Sequence, residues 1–149
     1  MRCAAALSDE TSRPVLSASG VIKVTYTDGR MVSVDMNGII SGYAAFAPLS
    51  ERAEFETVAV ADWGWSLEWS CGATLDADRL FELSLEQAGM VENVEFRRWQ
   101  DKNGLSLTAA AEAIGLTRRT VSQYRTGARP VSRTVALACK GWEATKLAA

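Results

Sequence analysis

Arg118, Arg119, Ser122 and Gln123 stand at spacings that place all four on one side of a helix. A guanidinium matches the two major-groove acceptors of guanine, a glutamine amide matches adenine, and a serine hydroxyl serves either. Each good bidentate pair gives about 1–3 kcal/mol of discrimination against the wrong base. Thr117, just before them, suits a helix N-cap. Arg125 and Arg129, just after, place positive charge where phosphates can be gripped, and Lys140 is a further candidate. Phosphate contacts fix position rather than sequence, and they make binding fall steeply with salt. The residues expected to meet double-stranded DNA are therefore Thr117, Arg118, Arg119, Ser122, Gln123, Arg125 and Arg129.

Other chemistry is largely excluded. The chain has no histidine, which rules out Ser-His-Asp and Cys-His catalysis and zinc sites that need imidazole. Cys3, Cys71 and Cys139 are far apart and form no C-x-x-C pair. They can build neither a four-cysteine zinc site nor a disulfide framework within one chain. They read as reduced thiols, the state expected of a cytoplasmic protein. The carboxylates of the first half fall in turns, at a helix start or on the wet face of a strand, and none is singled out as half of an acid/base pair. The expectation is a protein that is not an enzyme, with no catalytic residues, no cofactor and no metal.

The elements that must hold the basic side chains are legible around them. Ala110, Ala111 and Ile114 precede Gly115, and Val121 and Tyr124 follow, the order two short helices need to cross closely about a tight turn. Val121 and Tyr124 turn inward, so Arg118, Arg119, Ser122 and Gln123 turn outward. Ser106, Thr117 and Ser132 read as N-caps of helices at Leu107–Ile114, from Thr117 to Gly127, and at roughly Arg133–Lys146. Val135, Cys139 and Trp142 line one side of the last helix. Asn93 reads as the cap of an earlier helix with Phe96 and Trp99 as its apolar side, ended by Asn103-Gly104.

Charge divides the chain. Residues 1–91 hold 6 Lys+Arg against 13 Asp+Glu, and residues 92–149 hold 10 against 5, so the halves carry −7 and +5. Such asymmetry points to one half meeting a polyanion; mutual attraction of the halves is the plainer alternative. At 149 residues the chain is one ordinary domain or two small ones. No apolar run approaches the roughly 18 residues of a membrane span. The reading is a flexible leader over 1–13, a small α+β domain over 14–88 and a helical domain over 89–149.

In the acidic half, Val21–Tyr26 and Arg30–Met36 read as a hairpin, with Asp28-Gly29 as the left-handed positions of a tight turn. Val32, Val34 and Met36 alternate onto its buried face. A short helix is expected over Asn37–Ser41, a loop through Ala47-Pro48-Leu49 and a helical turn over Ser50–Phe55. A second hairpin follows, Thr57–Ala61 with Trp65–Trp69, joined by Asp62-Trp63-Gly64. Trp65, Leu67 and Trp69 share one face of it at period two. Asp76 reads as the N-cap of a helix whose Leu80, Phe81 and Leu83 close over the sheet.

Two resemblances overlie this reading. DGRMVSVDM, then FAPL, then LEWSCGATLDADRLFE resembles a bacterial domain of unknown function, family 2442, over roughly residues 15–85. That resemblance implies a compact α+β fold found alone, fused to helix-turn-helix modules or encoded in toxin–antitoxin-like pairs, and it implies no catalytic residues. Residues 94–145 resemble the lambda repressor/Cro-type helix-turn-helix. Ala111 takes the small-residue position and Gly115 the turn, followed by Leu116, Thr117, Thr120, Val121, Ser122, Tyr124 and Gly127. Leu107 stands where that family usually has a polar, phosphate-touching residue, a role Ser106 or Thr108 can supply. The expected protein is a sequence-specific DNA-binding transcriptional regulator acting as a homodimer, through the N-terminal sheet edge or the C-terminal helix. The alternative is an antitoxin-like or adaptor protein whose main partner is another protein, bound by strand addition to the acidic domain.

Overall fold

The computed structural model describes residues 15–16 and 20–148; the leader expected over 1–13, with Cys3, lies outside them. The chain divides into two compact units, the first ending at Gln87 and the second starting at Ala88.

Among the described residues the first unit carries two three-stranded antiparallel sheets. β1 (Val15–Leu16), β2 (Val21–Thr25) and β3 (Met31–Asp35) pair in chain order, and so do β4 (Ala59–Ala61), β5 (Ser66–Glu68) and β6 (Thr74–Asp76). Ile22 opposes Val34 and Val24 opposes Val32, while Lys23 and Ser33 pair on the other face. That register follows from period two: a one-residue slip would expose the apolar set. The turn is looser than expected. Tyr26 N–H donates to the Arg30 carbonyl (2.8 Å) and Gly29 N–H to the Tyr26 carbonyl (2.9 Å), closing a three-residue loop. Gly29 alone in that loop is left-handed (φ 86°). Asp28 instead accepts from Arg30 N–H and pairs with its guanidinium.

Between the sheets run α1 (Asn37–Gly42), a 3-10 turn over Ala44–Ser50 where a loop was expected, and α2 (Arg52–Phe55). The second hairpin departs from the sequence reading in two ways. Trp65 is in a helical conformation (φ −82°, ψ −17°) just ahead of β5, so period two begins after it. Leu67 and Trp69 are buried, while Trp65 is 51% exposed. Asp76 lies in β6, a strand absent from the sequence reading, and α3 (Ala77–Gln87) starts directly after it. Ala77 N–H donates to the Trp65 carbonyl (2.7 Å), so the residue expected to start the helix serves a strand pairing with β5 instead.

α3 buries Leu80, Phe81 and Leu83. The Tyr26 hydroxyl donates to the Ala77 carbonyl (2.8 Å) and its ring meets Phe81 edge-on. At the end of α3 the Gln87 amide bonds both backbone groups of Asp35 (2.8 and 2.9 Å), occupying the end of the β3 edge. Trp69 donates from Nε1 to the Phe55 carbonyl (3.2 Å). Glu54 accepts from the Ser70 hydroxyl (2.7 Å) and Cys71 N–H (2.6 Å). The Ser70 bond leads the interactions that hold its carboxyl below the usual glutamate range.

The second unit is four helices: α4 (Val91–Lys102), α5 (Leu107–Ile114), α6 (Arg118–Thr126) and α7 (Arg133–Ala148). They enclose Phe96, Trp99, Ala110, Ala111, Val121, Tyr124, Val131 and Cys139. No described helix is long and apolar enough to cross a membrane.

Candidate nucleic-acid interface

The geometry of α5 and α6 follows from their ends. Ser106 Oγ accepts from Ala109 N–H (3.0 Å) and Thr117 Oγ1 from Thr120 N–H (3.1 Å), each satisfying one of the donors a helix start leaves open. Gly115 caps α5 in the left-handed conformation (φ 71°), and Leu116 N–H reaches back to the Ala111 carbonyl (2.8 Å). A side chain at Gly115 would strain that turn. Ala110 and Ala111 are buried, so the two helices cross at close range.

α6 buries only Val121 and Tyr124. Arg118 and Arg119 are exposed, and Ser122 and Gln123 half-buried. At 100° per residue these four lie opposite the buried pair. Two guanidinium groups thus flank the positive end of the helix dipole, on a surface that attracts anions. The structure brings Arg118, Arg119, Ser122 and Gln123 together as the sequence suggested. Arg129 is exposed beyond the C-terminus, its guanidinium 6.0 Å from the Tyr124 ring centre. Lys140 is exposed on α7.

Arg125 is placed differently. Its Nη1 donates to Gln100 Oε1 (3.1 Å) and to Asp101 Oδ1 (2.9 Å), which ties it to α4 rather than to the face bearing Arg118. It belongs to a set of contacts that the sequence reading missed. Asn93 does not cap α4; the helix starts two residues earlier, and Met90 is its cap. Asn93 is buried instead, and its side chain serves three backbone groups. Nδ2 donates to the carbonyls of Tyr124 (2.9 Å) and Arg129 (2.8 Å), and Oδ1 accepts from Val131 N–H (2.9 Å). One turn on, buried Arg97 donates to the Arg125 carbonyl (2.7 Å). Gln100, also buried, donates to the Leu105 carbonyl (3.0 Å) while accepting from Arg125.

The last four carbonyls of a helix have no partner within it. In α6, Asn93 and Arg97 supply partners for two of them, and the Arg97 charge sits at the negative end of the dipole. The signal in the sequence was Asn93, Arg97 and Gln100 at spacings of four and three, a polar stripe beside the apolar stripe of Phe96 and Trp99.

Cys139 is buried behind this layer, and burial pushes its thiol up to about 11. Among the described residues no cluster of His, Cys, Asp and Glu suits a metal ion.

Comparison with known proteins places both units. Residues 94–140 match the model of a helix-turn-helix domain, and residues 15–86 match that of a protein family of unknown function, DUF2442. No curated protein matches the chain. Among solved structures, the chain is similar to NE0471 from Nitrosomonas europaea ATCC 19718, a proposed DNA-binding protein. The identity is 37%, the match covers 89% of this chain and 84% of that one, and the TM-score is 0.61. In this chain the DUF2442-type region precedes the helix-turn-helix domain, and the chain belongs to the family of that Nitrosomonas protein.

Proposed function

We propose that the protein is a sequence-specific DNA-binding regulator that acts as a homodimer and reads base edges in the major groove through α6. The observation that carries this reading is the outward face of Arg118, Arg119, Ser122 and Gln123, its two arginines exposed, on a helix whose far end is pinned by Asn93 and Arg97. A recognition helix must hold one orientation for its side chains to discriminate bases, and the pinning supplies that. Similarity to a proposed DNA-binding protein supports the same reading. Thr117 and Arg129 stand at the two ends of α6 as backbone contacts, and Arg125 sets the pose of the helix. A homodimer reads two half-sites about 34 Å apart and gains specificity one small module lacks.

The test is fluorescence anisotropy of the full chain against DNA from upstream of its own gene, at two salt concentrations. Binding should be selective and salt-sensitive, and an Arg118→Ala/Arg119→Ala variant should lose about 100-fold in affinity. Absence of salt-sensitive binding by the wild type overturns the reading.

A further inference from the structure

Besides clamping α6, α4 packs against α7, where the Trp99 and Trp142 rings meet edge-on with 5.6 Å between centres. Between α4 and α7 lies a groove of about 270 Å³, floored by Phe96, Trp99, Ala136 and Cys139. Contacts to Glu143 tie the two helices together beside it: Lys102 Nζ lies 3.2 Å from Oε1, and Asn103 Nδ2 donates to the same oxygen (2.9 Å). The Asn103 bond leads the interactions that hold the Glu143 carboxyl below the usual glutamate range, followed by Lys102. The remaining charges on the walls are Glu92, Glu95, Arg98 and Lys140. Arg98 is engaged, whereas the side chains of Glu92, Glu95 and Lys140 have no hydrogen bond or ion pair among the described residues. Trp99 adds a second unmet group. It is 6% exposed and its Nε1 has no hydrogen-bond partner, although a buried indole N–H ordinarily finds one.

We infer that this groove is a binding site for a free amino acid with an aromatic side chain. Volume sets the size of the ligand, since the groove falls just short of the roughly 300 Å³ at which pockets for drug-sized molecules begin. The floor sets its body. Two aromatic rings, a methyl group and a thiol that stays protonated at neutral pH offer apolar surface to a flat ring. The walls set its head. Two unpaired carboxylates on α4 attract an ammonium group, and the unpaired Lys140 on α7 attracts a carboxylate. A free amino acid carries both charges, whereas a ligand of one sign leaves one wall unmet. An acceptor brought into the groove also offers the Trp99 N–H the partner it lacks. A mostly apolar cavity with a few convergent polar groups is the common form of a small-molecule site. The site goes beyond the DNA reading and does not depend on it, although the helix that forms one wall is the one that clamps α6.

Titration of the full chain with L-phenylalanine, followed without DNA by proton–nitrogen correlation NMR, tests this. Phenylethylamine, which lacks the carboxylate, and phenylpropionate, which lacks the ammonium group, are the comparison ligands. A Trp99→Phe variant identifies the Trp99 indole N–H signal. The expected result is saturable movement of that signal with a dissociation constant of about 1 mM, in the range so small a ligand reaches. Either comparison ligand should bind about fivefold more weakly. Glu92→Gln/Glu95→Gln should weaken phenylalanine and phenylethylamine about fivefold and leave phenylpropionate unchanged. Lys140→Gln should weaken phenylalanine and phenylpropionate and leave phenylethylamine unchanged. None of these three side chains is buried, so the variants should unfold at the wild-type temperature. A Trp99 signal that phenylalanine leaves unmoved up to its solubility limit overturns the site. Binding that the charge changes leave unaltered, or comparison ligands that bind as tightly as phenylalanine, also overturns it. The reading of α6 is decided separately, by anisotropy with DNA.

Discussion

The two halves of this molecule solve the same problem, holding a short element in place, by different means. In the α+β unit, α3 is fastened mainly by apolar burial: Leu80, Phe81, Leu83 and Leu85 go inside, with polar ties at its two ends, the Tyr26 hydroxyl on Ala77 and the Gln87 amide on Asp35. In the helical unit, α6 buries two side chains, and the proposed reading of DNA requires its other face to stay free. Two apolar contacts leave a nine-residue helix able to roll. α4 therefore grips the backbone of α6, with Asn93 and Arg97 bonded to its carbonyls. Hydrophobic contact is nondirectional, whereas a buried hydrogen bond has a required geometry. The contrast teaches that a helix with a working surface is oriented by polar clamps because it cannot spare the apolar ones.

Removing the clamp should have the largest effect. Asn93→Ala removes one bond from each of two carbonyls and one N–H; the Tyr124 carbonyl keeps the Gly127 N–H (3.3 Å), and each group left unpaired and buried costs about 1–3 kcal/mol. We expect the helical unit to lose about 3 kcal/mol or more in denaturant unfolding, with faster amide exchange at Val131. Retention of stability within about 1 kcal/mol would erase the contrast between the units.

The matching change in the other unit is Tyr26→Phe. It deletes the hydroxyl bonded to the Ala77 carbonyl but keeps the ring against Phe81. The expected loss is about 1–2 kcal/mol, confined to the first unit and read by the same unfolding measurement. A loss as large as that of Asn93→Ala would mean that this unit also depends on a polar tie.

The same contrast explains how much the sequence disclosed. Helix ends were legible because caps are local: Ser106, Thr117, Gly115 and Gly127 act on backbone within a few residues. The outward face of α6 was legible because periodicity fixes it once Val121 and Tyr124 are known to be inside. Asn93 was not, since its three partners lie 31 to 38 residues away and asparagine is also a good cap. The path of Trp63 was hidden for another reason. Aspartate and glycine tolerate left-handed backbone but nothing favours it at a tryptophan between them, so hairpin logic placed Trp65 inward. β6 was missed because its three residues end on an aspartate that suits a helix start equally well.

The smallest effect carries the sharpest distinction. Arg125 and Asp101 pair at 2.9 Å, with the arginine side chain 22% exposed and the aspartate 59% exposed. A pair so open to water is worth about 0.5 kcal/mol, and a double-mutant cycle with alanine at both positions should return a coupling of that size. Its consequence for DNA is separable from its stability. If the Arg125 guanidinium is spent on Gln100 and Asp101, Arg125→Ala leaves the slope of log affinity against log salt unchanged, because no counterion-releasing contact is lost. A phosphate contact would instead lower that slope by about one. Asp101→Asn discriminates from the other side: it removes the charge paired with Arg125 while Gln100 still accepts from it, so binding that tightens at low salt marks an arginine held back from phosphate by that charge. Binding that weakens without a change in slope marks an arginine that orients α6. The second outcome is expected, since the carbonyl of this same residue accepts from Arg97, and both ends of Arg125 are then held by α4.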